Sequence, residues 1–120
     1  MMIVALVDDL MFLSRIREAA GSTGAEVKAV RNVSALLEAC RTAPDLVVAD
    51  LDSPRLKAAE AIRALRADPA GASLTVIGFY SHVHNERAQE AAVAGVSRAI
   101  SRGAFVRELP ELIAGRARPE

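Results

Sequence analysis

Apolar runs alternate with helix-period segments along the whole chain. Residues 3–8 form the first run, Ile3-Val4-Ala5-Leu6-Val7, closed by Asp8-Asp9. Its length and β-branched content predict a buried strand. Leu10, Leu13, Ile16 and Ala20 then fall on one face of a helix, with Gly21 placed to end it. Glu26 to Val30 reads as a short second strand. Val33, Leu36, Leu37 and Cys40 follow helical spacing, with Asn32 or Ser34 as the cap and Pro44 marking the break beyond. Asp45 to Ala49 is the third strand, and Ala58, Ile62 and Leu65 mark a third helix ending near Asp68-Pro69-Ala70-Gly71. Leu74 to Phe79 is the fourth strand. Ala88, Ala91, Ala92 and Gly95 give a fourth helix a narrow face of small residues, which buries little area and anchors it least. Val96 to Ile100 holds a fifth strand, and Phe105, Leu109, Leu112 and Ile113 mark a fifth helix. Pro110 lacks a backbone donor, so this helix is expected to start late enough to keep Pro110 in or near its first turn.

Five strand–helix units in 120 residues imply an α/β, doubly wound, five-stranded parallel sheet with helices on both faces. One domain over residues 1–115 is expected, with residues 116–120 as a frayed end. The order 2-1-3-4-5 places strands one and three side by side at the switch point, where ligands bind beyond the strand ends.

Composition narrows this picture. Hydrophobic residues make up 52% and aromatics only 3%, so the core must be aliphatic. Fifteen basic residues balance fifteen acidic ones, which gives no basic footprint for nucleic acid. Cys40, the single cysteine, has no partner for an internal disulfide and reads as a buried thiol in a reducing cytoplasm. No apolar run approaches the roughly 20 residues of a membrane span, and a signal peptide is not expected.

The candidate chemistry lies where two strands end in carboxylates. Asp8-Asp9 closes the first strand, and Asp50-Leu51-Asp52-Ser53-Pro54 closes the third. Charges at a strand end need water, a metal or a cationic partner. Brought side by side, the two ends would make a cation site. The plainer alternative is that Asp8 and Asp9 cap a helix and Asp50 merely ends a strand.

In these residues the chain resembles the response-regulator receiver domain. That family carries an acidic pair after strand one, a phosphoacceptor aspartate after strand three, and a proline four residues beyond it. Asp50 and Pro54 have that spacing, and Leu56, Glu60, Ile62, Leu65, Arg66 and Ala94-Gly95 continue the likeness over essentially the whole chain. The resemblance implies that Asp50 takes a phosphoryl group. It also implies that Asp9 and Asp50 bind Mg²⁺ directly, Asp8 holds it through water, and the Asp52 carbonyl supplies a further oxygen. It further implies a histidine kinase or phosphotransfer protein as donor and a downstream protein as target. The surface of helix four, strand five and helix five would serve for association or for a homodimer. Arg87, Arg98, Arg107 and Glu108 give that surface a mixed charge pattern.

The chain departs from the family at three places. The usual Lys-Pro pair after strand five is Arg102-Gly103. The Thr or Ser after strand four aligns with Tyr80, or with Ser81 if the register shifts by one. The strand-five aromatic is Ala99. Arg102 keeps a cation for the phosphoryl group in a larger planar form. Asp52 adds a carboxylate that disfavours an incoming phosphate. His82 and His84 form an H-x-H pair without further zinc ligands. These departures set a rival expectation: a pseudo-receiver, the same fold acting as a constitutive protein-binding module. A small flavodoxin-like enzyme or nucleotide binder is a third expectation, opposed by the absence of a glycine-rich phosphate loop after strand one.

Overall fold

The computed structural model describes residues 1–81 and 86–117, with side chains to Ile113. Five parallel strands form one sheet in the order β2-β1-β3-β4-β5: β1 (Met2–Leu6), β2 (Glu26–Val30), β3 (Leu46–Asp50), β4 (Val76–Tyr80) and β5 (Arg98–Ser101). The helices are α1 (Leu10–Gly21), α2 (Val33–Cys40), α3 (Ala58–Ala67), α4 (Glu86–Ala94) and α5 (Arg102–Ala117). The expected fold class and strand order are both observed. Among the described residues no helix is long and apolar enough to cross a membrane.

Strand alternation divides the core into two layers. Val4, Leu6, Val47 and Ala49 face α2, α3 and α4, against Leu36, Ile62, Leu65 and Ala91. Ile3, Ala5, Val48, Ile77 and Phe79 face α1 and α5, against Phe12, Ile16, Phe105, Leu109 and Ile113. The second layer holds all three phenylalanines of the chain. Phe79 stacks on Phe12 at 4.6 Å and on Phe105 at 4.5 Å between ring centroids.

The helix starts are fixed by side chains. The Asn32 side chain accepts the Ala35 N–H at 2.8 Å, which makes Asn32 and not Ser34 the cap of α2. Asp9 caps α1 by accepting from the N–H groups of Met11 at 2.9 Å and Phe12 at 3.2 Å. That cap makes Leu10 the first helical residue, and Leu10 is 69% exposed. The expected apolar face is therefore corrected: Phe12 joins Leu13, Ile16 and Ala20 in the core in place of Leu10.

Helix α5 also departs from the expected late start. It begins at Arg102, and Pro110 lies inside it rather than in its first turn. Pro110 is on the exposed side, while Phe105 and Leu109 before it and Ile113 after it are buried. Core contacts on both sides of the proline hold the helix through the missing hydrogen bond. The fourth helix buries only Ala91 and Ala94. Of the expected frayed end 116–120, Arg116 and Ala117 are instead the last residues of α5, and 118–120, like the histidine pair 82 and 84, lie outside the described residues.

Cys40 is buried in the first layer, and burial, with Asp68 adding to it, pushes its thiol up to about 11. The thiolate is the reactive form, so its population near neutrality falls roughly 100-fold against an ordinary thiol of pKa 9.0. An aromatic disulfide reagent is expected to modify Cys40 rapidly in urea and slowly in the folded protein. Equal rates in the two states would contradict this burial.

Candidate functional site

The crevice lies at the carboxyl ends of β1 and β3. Asp50 is the last residue of β3, opposite Phe79 in the ladder, and is only 3% exposed. Its Oδ1 accepts the Asp52 N–H at 3.0 Å. Arg102, the first residue of α5, brings Nη2 to 3.4 Å from Oδ1 and 3.3 Å from Oδ2 of Asp50. Its Nη1 lies 3.9 Å from Asp9 Oδ2. The guanidinium carbon sits 4.5 Å from the centre of the Phe12 ring and 5.5 Å from that of Phe79. A cation at a helix N-terminus opposes the helix dipole. Two carboxylates and two aromatic faces offset that cost here.

The remaining acids are tied to neighbouring loops. Asp8 Oδ2 accepts the Ser53 hydroxyl at 3.0 Å, which joins the segment after β1 to the segment after β3. Asp52 Oδ2 accepts the Ser81 N–H at 2.6 Å, which joins the segment after β3 to the end of β4. Ser81 therefore reaches the crevice through its backbone N–H, whereas Tyr80 packs partly against the first core layer.

Burial raises the Asp50 pKa above the ordinary aspartate value of 3.8. The Asp52 N–H and the Arg102 guanidinium oppose that shift, and the charges of Asp52 and Asp8 add to it. Contacts of 3.3 and 3.4 Å are long beside the 2.7–2.9 Å usual for charged pairs, so Arg102 leaves the ionised Asp50 under-compensated. Asp50 thus holds its proton more tightly in the folded than in the unfolded protein. Its contribution to stability is full below the ordinary aspartate value and is lost as pH rises through the raised folded value. Asp50→Asn is expected to stabilise the protein at neutral pH by on the order of 1 kcal/mol. The gain should shrink toward acid pH. Urea midpoints of the two proteins across pH 4–7.5 would check this, and a gain that grows on acidification would contradict it.

The three carboxylates do not gather as a ready cation site. Among the described residues no three His, Cys, Asp or Glu side chains are arranged to hold a metal ion. The charge between Asp9 and Asp50 is instead Arg102. The chemistry of the donors still suits a hard divalent ion: they are all oxygens, and the buried Asp50 lacks full compensation.

Two residues of the site were not apparent from the sequence. Ser53 anchors Asp8, and Phe12 supports Arg102. Phe12 lies three residues after Asp9, so recognising Asp9 as the α1 cap would have turned Phe12 inward. On the expected docking face, Arg98 and Glu108 pair with each other at 2.9 Å, and Arg87 reaches Glu90 at 3.5 Å.

No family model and no curated protein sequence matches the chain. Solved structures do. A response regulator from Hahella chejuensis superposes with a TM-score of 0.81 at 18% identity, covering 96% of this chain and 93% of its own. The chemotaxis response regulator CheY4 of Vibrio cholerae gives 0.79 at 16% identity, covering 96% and 97%. The receiver domain of the sensor histidine kinase PA1611 from Pseudomonas aeruginosa PAO1, with a magnesium ion coordinated in its active-site cleft, gives 0.76 at 19%, covering 94% and 97%. The fold of this chain is that of a CheY-like receiver domain.

Proposed function

We propose that this chain is a receiver-type signalling domain of a two-component phosphorelay, with Asp50 as its phosphoacceptor. The observation that carries the reading is a nearly buried carboxylate at the switch point of a receiver fold, with a cation beside it and its charge incompletely compensated. A carboxylate oxygen of Asp50 would attack the phosphorus of a phosphohistidine on a histidine kinase or phosphotransfer protein. The P–O bond forms as the P–N bond breaks, giving an acyl phosphate, and the departing imidazole takes up a proton. Arg102 and the Asp52 N–H would then donate to the phosphoryl oxygens. Mg²⁺ would be held by Asp9, Asp50 and the Asp52 carbonyl, with Asp8 acting through water, once Arg102 gives up its contacts. When bound, the ion supplies neutralisation of the charge on the transferred group.

The domain would act as a regulator and not as a metabolic enzyme, catalysing at most its own phosphorylation. Its output would be altered association with a downstream protein, or a homodimer, through the face of α4, β5 and α5. This reading implies a cytoplasmic setting, without nucleic acid or membrane as partner.

The test is incubation with Mg²⁺ and a small phosphodonor, read by intact mass, with Asp50→Ala as control. A gain of one phosphoryl group that the control lacks supports the reading. The second reading is the pseudo-receiver, a constitutive binding module. It is favoured by Arg102 standing between Asp9 and Asp50, and by Ala99 where receivers carry an aromatic. No mass gain in donor excess, together with no Mg²⁺ heat in titration calorimetry, selects it.

A further inference from the structure

Asp52 occupies two places at once. Its N–H donates to Asp50 Oδ1 at 3.0 Å, and its carboxylate accepts the Ser81 N–H at 2.6 Å. A single residue therefore bridges Asp50 and the backbone just beyond Tyr80, the last residue of β4. Ser81 itself follows a strand locked on both sides, by β3 and by β5. The Ser81 N–H is thus a fixed donor at the edge of the crevice, and a carboxylate of this chain already holds it.

A phosphoryl group on Asp50 would bring acceptor oxygens and further negative charge to the same place. Arg102 and the Asp52 N–H are two donors beside Asp50, and the Ser81 N–H is the next one along the same bridge. Asp52 would stand against the newcomer twice, by occupying that donor and by like-charge repulsion. We propose that the Asp52 carboxylate is a built-in anion that competes with a phosphoryl group on Asp50 for the Ser81 N–H, and that it latches the end of β4 to the β3–α3 segment until it is displaced. The inference rests on Asp50 being the phosphoacceptor. It gives the chain a two-state element that needs neither a side-chain hydroxyl after β4 nor an aromatic in β5.

The experiment compares wild type, Asp52→Ala, Asp52→Asn and Asp50→Ala, each with Mg²⁺ and phosphoramidate. It reads the rate of mass gain and, separately, hydrogen exchange of the Ser81 amide by NMR without donor. Asp52→Ala is expected to speed Ser81 exchange at least tenfold and phosphoryl uptake at least fivefold. Asp52→Asn still accepts a hydrogen bond but carries no charge. It should keep Ser81 protected while uptake rises to an intermediate rate, and it carries the comparison if Asp52→Ala fails to fold. Unchanged Ser81 exchange in a folded Asp52→Ala overturns the latch. Equal uptake rates in wild type and both Asp52 variants overturn the competition alone. Absence of uptake in every chain overturns the phosphoacceptor reading, and the competition with it.

Discussion

Phe79→Ala is expected to destabilise the protein by about 3–5 kcal/mol, the range for removing a fully buried aromatic. Phe79 is 0% exposed and is the middle ring of the three-ring stack, so its loss removes contacts to Phe12 and Phe105 together. The neighbouring strand limits collapse of the cavity, because Phe79 is paired in β4 between Asp50 of β3 and Ile100 of β5. The effect should also reach the crevice. Phe12 would lose its backing, and Arg102 rests on Phe12. Phe79→Leu, which retains more of the volume, should recover much of the stability. Urea unfolding followed by circular dichroism measures both. A loss under 1 kcal/mol for the alanine variant would show that the aromatic layer is not the anchor of this side of the sheet.

Arg66→Ala is expected to cost about 2–3 kcal/mol, the scale of losing charged hydrogen bonds to partly buried carbonyls. The guanidinium at the end of α3 gathers two separate connections. Nε donates to the Gly95 carbonyl at 2.8 Å, Nη1 to those of Gly71 at 2.9 Å and Leu74 at 2.6 Å, and Nη2 to the Ser97 hydroxyl at 3.2 Å. Ser97 Oγ in turn accepts the Val76 N–H at 2.9 Å, at the start of β4. One side chain thus ties the α3–β4 and α4–β5 connections together, opposite the crevice end of the sheet. Gly95 completes the corner with φ +111, and a Cβ there would lie 2.7 Å from Arg66 Cγ. Arg66→Lys should recover only part of the loss, since an ammonium cannot reproduce the planar fork. The check is the urea midpoint with amide exchange at Gly95 and Val76. Exchange unchanged at both sites would refute the clamp.

Most of the architecture was legible because hydrophobic period and punctuation agree along this chain. Glu26–Val30 and Val33–Cys40 are bounded in the structure as the pattern predicts. The errors have local causes. Leu10 and Phe12 both fit a helical face, and only the Asp9 cap decides between them. Pro110 argues for a late helix start, but buried residues on either side of it outweigh one missing hydrogen bond. At the site, strand ends carrying aspartate were readable because a charge at the end of an apolar run needs water, a metal or a cationic partner. The pairings were not readable. Whether Arg102 reaches Asp50, whether Ser53 holds Asp8, and whether Ser81 offers its hydroxyl or its N–H all depend on side-chain directions and loop paths that spacing does not encode.

The seat of Arg102 above the Phe12 ring gives the crevice its own spectroscopic probe. Protons held over an aromatic face are shielded by its ring current, so the Arg102 δ and guanidinium resonances should appear upfield of those of exposed arginines. Any event that draws this side chain away from the ring, by a cation, a phosphoryl group or a bound protein, would relax those shifts toward ordinary values. A single labelled arginine would then report occupancy of the crevice in a protein that has no tryptophan.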